Sequence, residues 1–511
     1  MSELKVRRSG LVSFTIRLGS TITGLAFVVI VTSNLSQADF GLWLLISKVL
    51  AYMVFVTNIL SFWTTRYRAR SITLGKTIIV GAFIFSLVLI PAYLVISYGV
   101  ANIVGQASSL APNFYYFLVA LPQVPLYIFL AVIEAILWGS RPAKASLGFA
   151  FFEVAKVIIG FVTVGILHLS LTGAILAVMF AQIVQLVVSL ALTKNEYKDK
   201  ASLSMIGTMV RTGWVAMLNS LQPIVISFDF IIVGSLTAST LPLAVYGVAL
   251  TLASVISYSG FMATGLYASL LSGKDPRHSI RQVLELQLLF LFPMTVGEIV
   301  IAGPLMHLLN KAYESGALIL VVLAIAQALM ALSTTIDNVI SGTDTTDASG
   351  KADFASYLRS KMFFISKVNI SVGVAYLLAV STASVLFNRG LPSIFGLSSY
   401  NLLGILWAIC SLSMFVVIIL LKMKQVRKVA ENVIPWKTIP AMLVSTAVFS
   451  AVLYVLSKYF TPAGGEISQA AGILILEGVS LATYFAIVLT LSKTFRGLAK
   501  AAIYSIREEL S

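Results

Sequence analysis

Apolar residues run in blocks of about twenty along this chain, and short polar stretches separate them. A helix rises about 1.5 Å per residue, so such a block is the length that crosses a bilayer core. Fourteen spans are predicted, at roughly 10–33, 41–63, 74–98, 114–138, 146–168, 170–193, 206–236, 241–272, 281–305, 316–341, 361–387, 400–422, 436–459 and 469–491. Only His168, Leu169 and Ser170 separate spans 5 and 6, and spans 7 and 8 are longer than a bilayer needs.

The basic residues alternate with the spans. Thirty of the 35 Lys and Arg belong to the first end of span 1, Arg17 within it included, or follow even-numbered spans, Lys311, Arg389 and Lys458 fall on the other side, and Lys48 and Lys156 lie deeper within spans. Cytoplasmic loops hold the Lys and Arg excess, so both termini are expected in the cytoplasm of a multi-pass cell-membrane protein. Lys5, Arg7 and Arg8 precede a long apolar run with no small-residue cleavage site, which reads as a first span that stays.

Composition agrees with this picture. Hydrophobic residues make up 59% of 511 and charged ones 11%, and mean hydropathy is +0.97, against about a quarter charged in soluble domains. A soluble enzyme and a single-span receptor are excluded. The net charge of +15 follows from topology and attracts anionic lipid rather than nucleic acid. Catalytic machinery and cofactors are not expected. Gly75-Lys76-Thr77 has Arg70 where a phosphate-binding loop needs its first glycine, and His168, His278 and His307 are too scattered for a metal set. Cys410 stands alone, so no internal disulfide can form.

Span 7 repeats span 1. At an offset of 203, Arg8-Ser9-Gly10-Leu11-Val12 matches Arg211-Thr212-Gly213-Trp214-Val215, and Phe27-Val28-Val29-Ile30 matches Phe230-Ile231-Ile232-Val233. Six spans separate the copies, so both run the same way, as in transporters built from two parallel lobes. The expected fold class is an all-α integral membrane protein: a lobe at 1–200 (spans 1–6), a lobe at 201–430 (spans 7–12), and spans 13 and 14 with a tail at 431–511.

Polar side chains within the spans fall on shared helical faces. Gln123, Tyr127 and Glu134 align on span 4, Glu153, Lys156 and Gly160 on span 5, Gln182, Gln185 and Ser189 on span 6, and Asn219, Gln222 and Asp229 around Pro223 on span 7. Such residues either tie helices together or line one hydrated cavity; their spread over both lobes favours the cavity. Charges at mid-membrane cost about 2.5–3.5 kcal/mol on insertion scales. Arg17 and Lys48 either snorkel or serve a substrate, Lys156 either pairs with Glu153 one turn away or binds an anion, and Asp229 is either protonatable or paired with another helix. Glu134 and Asp337 are expected to be solvated, and spans 13 and 14 are bare apart from Glu477.

The turn Leu35-Ser36-Gln37-Ala38-Asp39-Phe40-Gly41-Leu42-Trp43 resembles the G-P-x-D-F-G-x-Y turn of polysaccharide flippases in the multidrug/oligosaccharidyl-lipid/polysaccharide exporter superfamily. Ser36-Gln37 replaces Gly-Pro, while Asp39-Phe40-Gly41 is intact. The resemblance implies two lobes in a V and alternating access. It also implies a polyprenyl-(pyro)phosphate-linked oligosaccharide moved from the cytoplasmic to the outer leaflet, for surface polysaccharide or glycoprotein synthesis. Cations of the first two spans line the family's cavity, and Arg17 and Lys48 occupy suitable positions. The expected substrate-binding set is Arg17, Lys48, Lys156, Gln123, Asn219 and Gln222, with Asp229 and Glu153 for coupling to H+ or Na+. Lipid-linked glycan and membrane lipids are the expected partners of a monomer. The alternative is a cation-coupled multidrug exporter of the same superfamily, which would want acidic and aromatic residues in its cavity and has twelve spans as its usual number. A membrane glycosyltransferase or polymerase would want a carboxylate set and a large outer loop.

Overall fold

The computed structural model describes residues 19–20, 23–24, 26–69, 72–107, 114–140, 142–263, 266, 270, 276–344, 358–389, 399–429, 433–459 and 466–497. Among them every regular element is helical, and twelve helical stretches are long and apolar enough to cross a membrane. They coincide with twelve of the fourteen expected spans. The helical segment 26–34 belongs to span 1, of which only 19–20 and 23–24 are described before it, and span 7 holds a shorter apolar helix, Leu221–Thr237. The protein is a multi-pass, all-α membrane protein.

In chain order the helices are α1 Gln37–Val56, α2 Asn58–Ala69, α3 Gly75–Ala107, α4 Phe114–Ala120, α5 Gln123–Ser140, α6 Pro142–Gly160, α7 Ser170–Thr193, α8 Leu203–Thr212 and α9 Trp214–Thr237. There follow α10 Leu241–Ser257, α11 Pro276–Val300, α12 Ala302–Leu309, α13 Ala317–Gly342, α14 Lys361–Asn388, α15 Ser399–Val429, α16 Ile439–Tyr459 and α17 Glu466–Leu491. The over-long span 7 divides at Gly213 into α8 and α9, and span 8 passes from α10 into a 3-10 turn at Tyr258–Ala263. The tight link between spans 5 and 6 is a π-helical turn, Phe161–Ile166, ended by His168 and Ser170 at φ 51° and 50°. A left-handed residue stops helical hydrogen bonding at once. Leu169 N–H then donates to Thr163 O, and the Thr163 hydroxyl donates to Gly173 O.

Large apolar side chains cover the outer faces. On α3, Phe83, Leu87, Val88 and Val95 are 57–72% exposed. Between helices in lipid, close packing and hydrogen bonds replace the hydrophobic drive, so apolar residues can stay outside.

Two compact units emerge from the packing. The larger holds Ile16–Val248 and Lys351–Cys410; the smaller holds Met1–Thr15, Ala249–Gly350 and Ser411–Ser511. In the larger, α9 lies along α14, α6 packs on α7 and α2 on α5; in the smaller, α11 packs on α13 and α16, and α16 on α17. This grouping follows contact density, whereas the 1–200 and 201–430 lobes are a statement about rotational equivalence.

The turn that carried the family resemblance has a definite job within the larger unit. Ser36 caps α1: its hydroxyl accepts from Asp39 N–H at 3.1 Å and donates to the Asp39 carboxylate at 2.7 Å. Ser239, 203 residues later, accepts from Leu241 N–H at 3.2 Å just before α10, one residue ahead of its cap position at Thr240. Phe40 is fully buried, and a Cβ on Gly41 would come within 2.3 Å of Thr240 O. Leu44 packs against Gly247, where a Cβ would stand 2.2 Å from Leu44 Cδ1. Leu44 and Gly247 are themselves 203 apart.

Candidate functional site

The buried Asp229 of α9 is the centre of a polar cluster in the larger unit. One carboxylate oxygen accepts from Tyr376 Oη of α14 at 2.6 Å and from Trp407 Nε1 of α15 at 3.0 Å. The other accepts from Phe230 N–H at 2.7 Å. Trp407 Nε1 also donates to Tyr376 Oη at 2.8 Å. Aromatic rings wall the group: Tyr246 stacks on Trp407 at 3.7 Å, and Phe230 meets Trp407 edge-on at 5.1 Å. From α1, the Lys48 ammonium lies 4.7 Å above the Phe230 ring and within electrostatic reach of Asp229. One turn further along α1, Tyr52 Oη donates to Ser227 O at 2.7 Å. The sequence left Asp229 either protonatable or paired with another helix. It meets groups from three.

Lys156 and Glu153 form a second cluster, as their spacing on one helix suggested. Their charges pair at 2.8 Å, Thr23 donates to the other Glu153 oxygen at 3.1 Å, and the Lys156 ammonium lies 5.0 Å from the Phe152 ring centre and 5.4 Å from that of Phe27. Both charges are thereby matched inside the unit. Gln123 is buried, its amide donating to Ile175 O at 3.4 Å. Gln222 is half-buried on α9, two turns before Asp229. Arg17 and the side chain of Asn219 lie outside the described residues. Of the eight expected site residues, the structure joins Lys48 with Asp229 and Lys156 with Glu153.

Two carboxylates expected in solvent are engaged instead. Glu134 accepts from Gln185 of α7 at 2.5 Å. Asp337 pairs at 2.6 Å with Lys422, whose side chain is fully buried although its place after span 12 had put it among the loop cations. Apolar runs mark where a helix crosses, not where it ends, and α15 continues past its run to Val429. At a polar end, Asp199 accepts from Lys76 N–H at 2.7 Å and from Thr77 N–H and Oγ at 3.1 and 2.9 Å. The Gly75-Lys76-Thr77 triplet thus receives a carboxylate from its own chain at the start of α3, as the positive end of a helix favours. Burial opposes the Asp199 charge, but these hydrogen bonds prevail and hold its carboxyl below the usual aspartate range.

Tyr376, Trp407, Tyr246 and Phe230 were not legible as site residues. They sit in apolar runs, where an aromatic ring is ordinary packing; only the need of a buried Tyr or Trp for a polar partner could have singled them out.

No protein-family model and no curated protein sequence matches the chain. Solved structures do. The lipid II flippase MurJ in an inward closed conformation aligns with a TM-score of 0.61 at 14% identity, over 95% of this chain and 99% of its own. An inward-facing multidrug resistance MATE family transporter of the MOP superfamily gives 0.57 at 13% identity, over 81% and 98%. A MOP superfamily transporter from Pyrococcus furiosus, described by a reversed polarity of its binding pocket, gives 0.54 at 15%, over 84% and 96%. The chain has the fold of the MOP-superfamily transporters.

Proposed function

We propose that this protein is a flippase that carries a polyprenyl-(pyro)phosphate-linked oligosaccharide between membrane leaflets by alternating access. The observation that carries the reading is coverage. The lipid II flippase accounts for 95% of this chain, against 81% and 84% for the MATE transporter and the Pyrococcus transporter. The difference is about the size of the segment after residue 430 with spans 13 and 14. A substrate with an anionic head, a polar glycan and a lipid tail needs cations and amides inside and a lateral opening for the tail. Arg17, Lys48, Lys156, Gln123, Asn219 and Gln222 supply the first two, and Asp229 and Glu153 are placed to couple H+ or Na+. The lobes are 1–200 and 201–430, with both termini in the cytoplasm and the monomer as the working unit. The contact of Leu44 with Gly247 supports the lobes, because equivalent residues touch only near the axis that relates them.

A second reading, a cation-coupled drug exporter, draws on Asp229 with its aromatic wall, the kind of group an organic cation would meet. The two diverge at Lys48. If Lys48 serves an anionic headgroup, Lys48→Ala loses lipid-linked glycan transport per folded molecule, beyond the fall in folded protein that leaving Asp229 without its counter-charge causes, and Lys48→Arg restores part of both. Transport normalised to folded protein decides. Full activity in Lys48→Ala together with Arg17→Ala would remove both cations from the substrate path.

A further inference from the structure

Residues 196–203 join α7 to α8, and the two acids among them are both spent on neighbouring helices. Glu196 is buried and pairs with Arg68 of α2 at 2.8 Å, and Arg68 Nη2 donates to its other oxygen at 2.9 Å. Asp199 accepts from the N–H groups of Lys76 and Thr77 at the start of α3. The cations beside it are not spent. Lys198 and Lys200 flank Asp199 in sequence, and Lys76 is joined to it through its backbone. All three side chains are exposed, with no ion pair among the described residues. Three positive charges thus stand together, and the segment has no uncommitted acid.

This place is the edge of the membrane. The apolar helical stretches Gly75–Asn102 and Ser170–Glu196 end here, and their ends touch, a Cβ on Gly75 falling 2.4 Å from Glu196 O. Ser202 N–H donates to Thr77 Oγ at 3.2 Å, which sets the start of α8 at the same level. From there α8 runs alongside α3 into the apolar region. Ile206 Cδ1 lies 3.7 Å from where a Cβ on Gly81 would stand, well inside the stretch that begins at Gly75.

α8 turns only part of its apolar surface to the protein. Ile206 and Met209 are buried, and α8 packs on α2 and α3. Leu203 and Val210, two turns apart on one flank, are 67% and 47% exposed. Gly207 lies between them, and a Cβ there would meet no neighbouring atom within 4 Å. The flank is an open strip about 10 Å long. A neutral lipid would cover it but leave the three cations without a partner. A water-soluble polyanion would meet the cations but leave Leu203 and Val210 bare. An anionic phospholipid serves both, and each Lys near an anionic headgroup strengthens its hold.

We propose that one anionic phospholipid binds here, its phosphate on Lys76, Lys198 and Lys200 and an acyl chain along Leu203, Gly207 and Val210. The site does not depend on which substrate the protein moves.

The test places a single bimane label at Val210→Cys in a Cys410→Ser background of the full chain, in phosphatidylcholine nanodiscs. Phosphatidylglycerol or phosphatidylcholine with a nitroxide on its acyl chain serves as quencher. Phosphatidylglycerol should reach half-quenching at a mole fraction lower by about twofold or more. In the Lys76→Gln, Lys198→Gln, Lys200→Gln triple variant the two quenchers should act alike. At Leu318→Cys, an exposed position on α13, neither should be preferred. Equal quenching by the two lipids at Val210→Cys, an unchanged preference in the triple variant, or the same preference at Leu318→Cys would overturn the proposal. If the triple variant does not fold, added salt on the labelled parent decides: the preference should shrink as the lysines are screened, and a salt-independent preference would contradict the site.

Discussion

Asp229 and Glu298 are both carboxylic acids buried in the last half of a membrane helix, and they are treated in opposite ways. Asp229 receives three hydrogen bonds and faces a lysine. Glu298 keeps an oxygen without a partner and faces another acid. A satisfied carboxylate is held in one place by the helices that donate to it, here α9, α14 and α15. An unsatisfied one has no such donors to hold it in place. Lys422 and Asp337 stand between the two cases, since the lysine is fully buried while the Asp337 side chain keeps 27% exposure to release charge to water.

The sharpest way to break this comparison is to remove each acid. Asp229→Ala would leave Lys48 without its counter-charge and strand the Tyr376 and Trp407 donors, so a loss of about 3–5 kcal/mol is expected. Glu298→Gln keeps shape, removes a charge and strands nothing new, so its effect should be under about 1 kcal/mol. Thermal unfolding of the two purified variants in detergent measures the contrast. Equal losses would erase the distinction between them.

A smaller effect is expected at Asp199, the satisfied acid outside the membrane. Its folded carboxyl is held below the usual aspartate range, so its contribution is complete above the unfolded value and is lost as pH falls through the lower, folded one. Asp199→Asn should cost roughly 1 kcal/mol at neutral pH, as for a helix cap, and should flatten the acid limb of the stability profile. Unfolding midpoints of wild type and variant from neutral to acid pH test this; parallel curves would mean that the cap carries no charge-dependent stability.

Much of the fold was legible because bilayer thickness imposes a length that the apolar runs repeat. Twelve spans appear where the runs predicted them, and the doubtful boundary at His168 proved to be a π-turn ended by two left-handed residues, which hydropathy cannot encode. The pairing of Lys156 with Glu153 was legible because both lie on one helix. The Asp229 cluster was only half legible. Its acid was conspicuous in an apolar run, but its donors come from helices more than 140 residues away and resemble any other buried aromatics. The contact of Leu44 with Gly247 extends the offset of 203 into a region where the surrounding residues share little identity.

The central claim, movement of a lipid-linked oligosaccharide, is tested most directly by reconstituting the wild-type protein in liposomes. Fluorescent polyprenyl-pyrophosphate oligosaccharide is placed in both leaflets, and a membrane-impermeant reagent that modifies only outer-leaflet glycan is added. Time-dependent loss of the protected half, absent from protein-free liposomes, is the predicted result. A protected half that stays constant, while the same liposomes move an organic cation against a proton or sodium gradient, would contradict the flippase reading and establish the exporter.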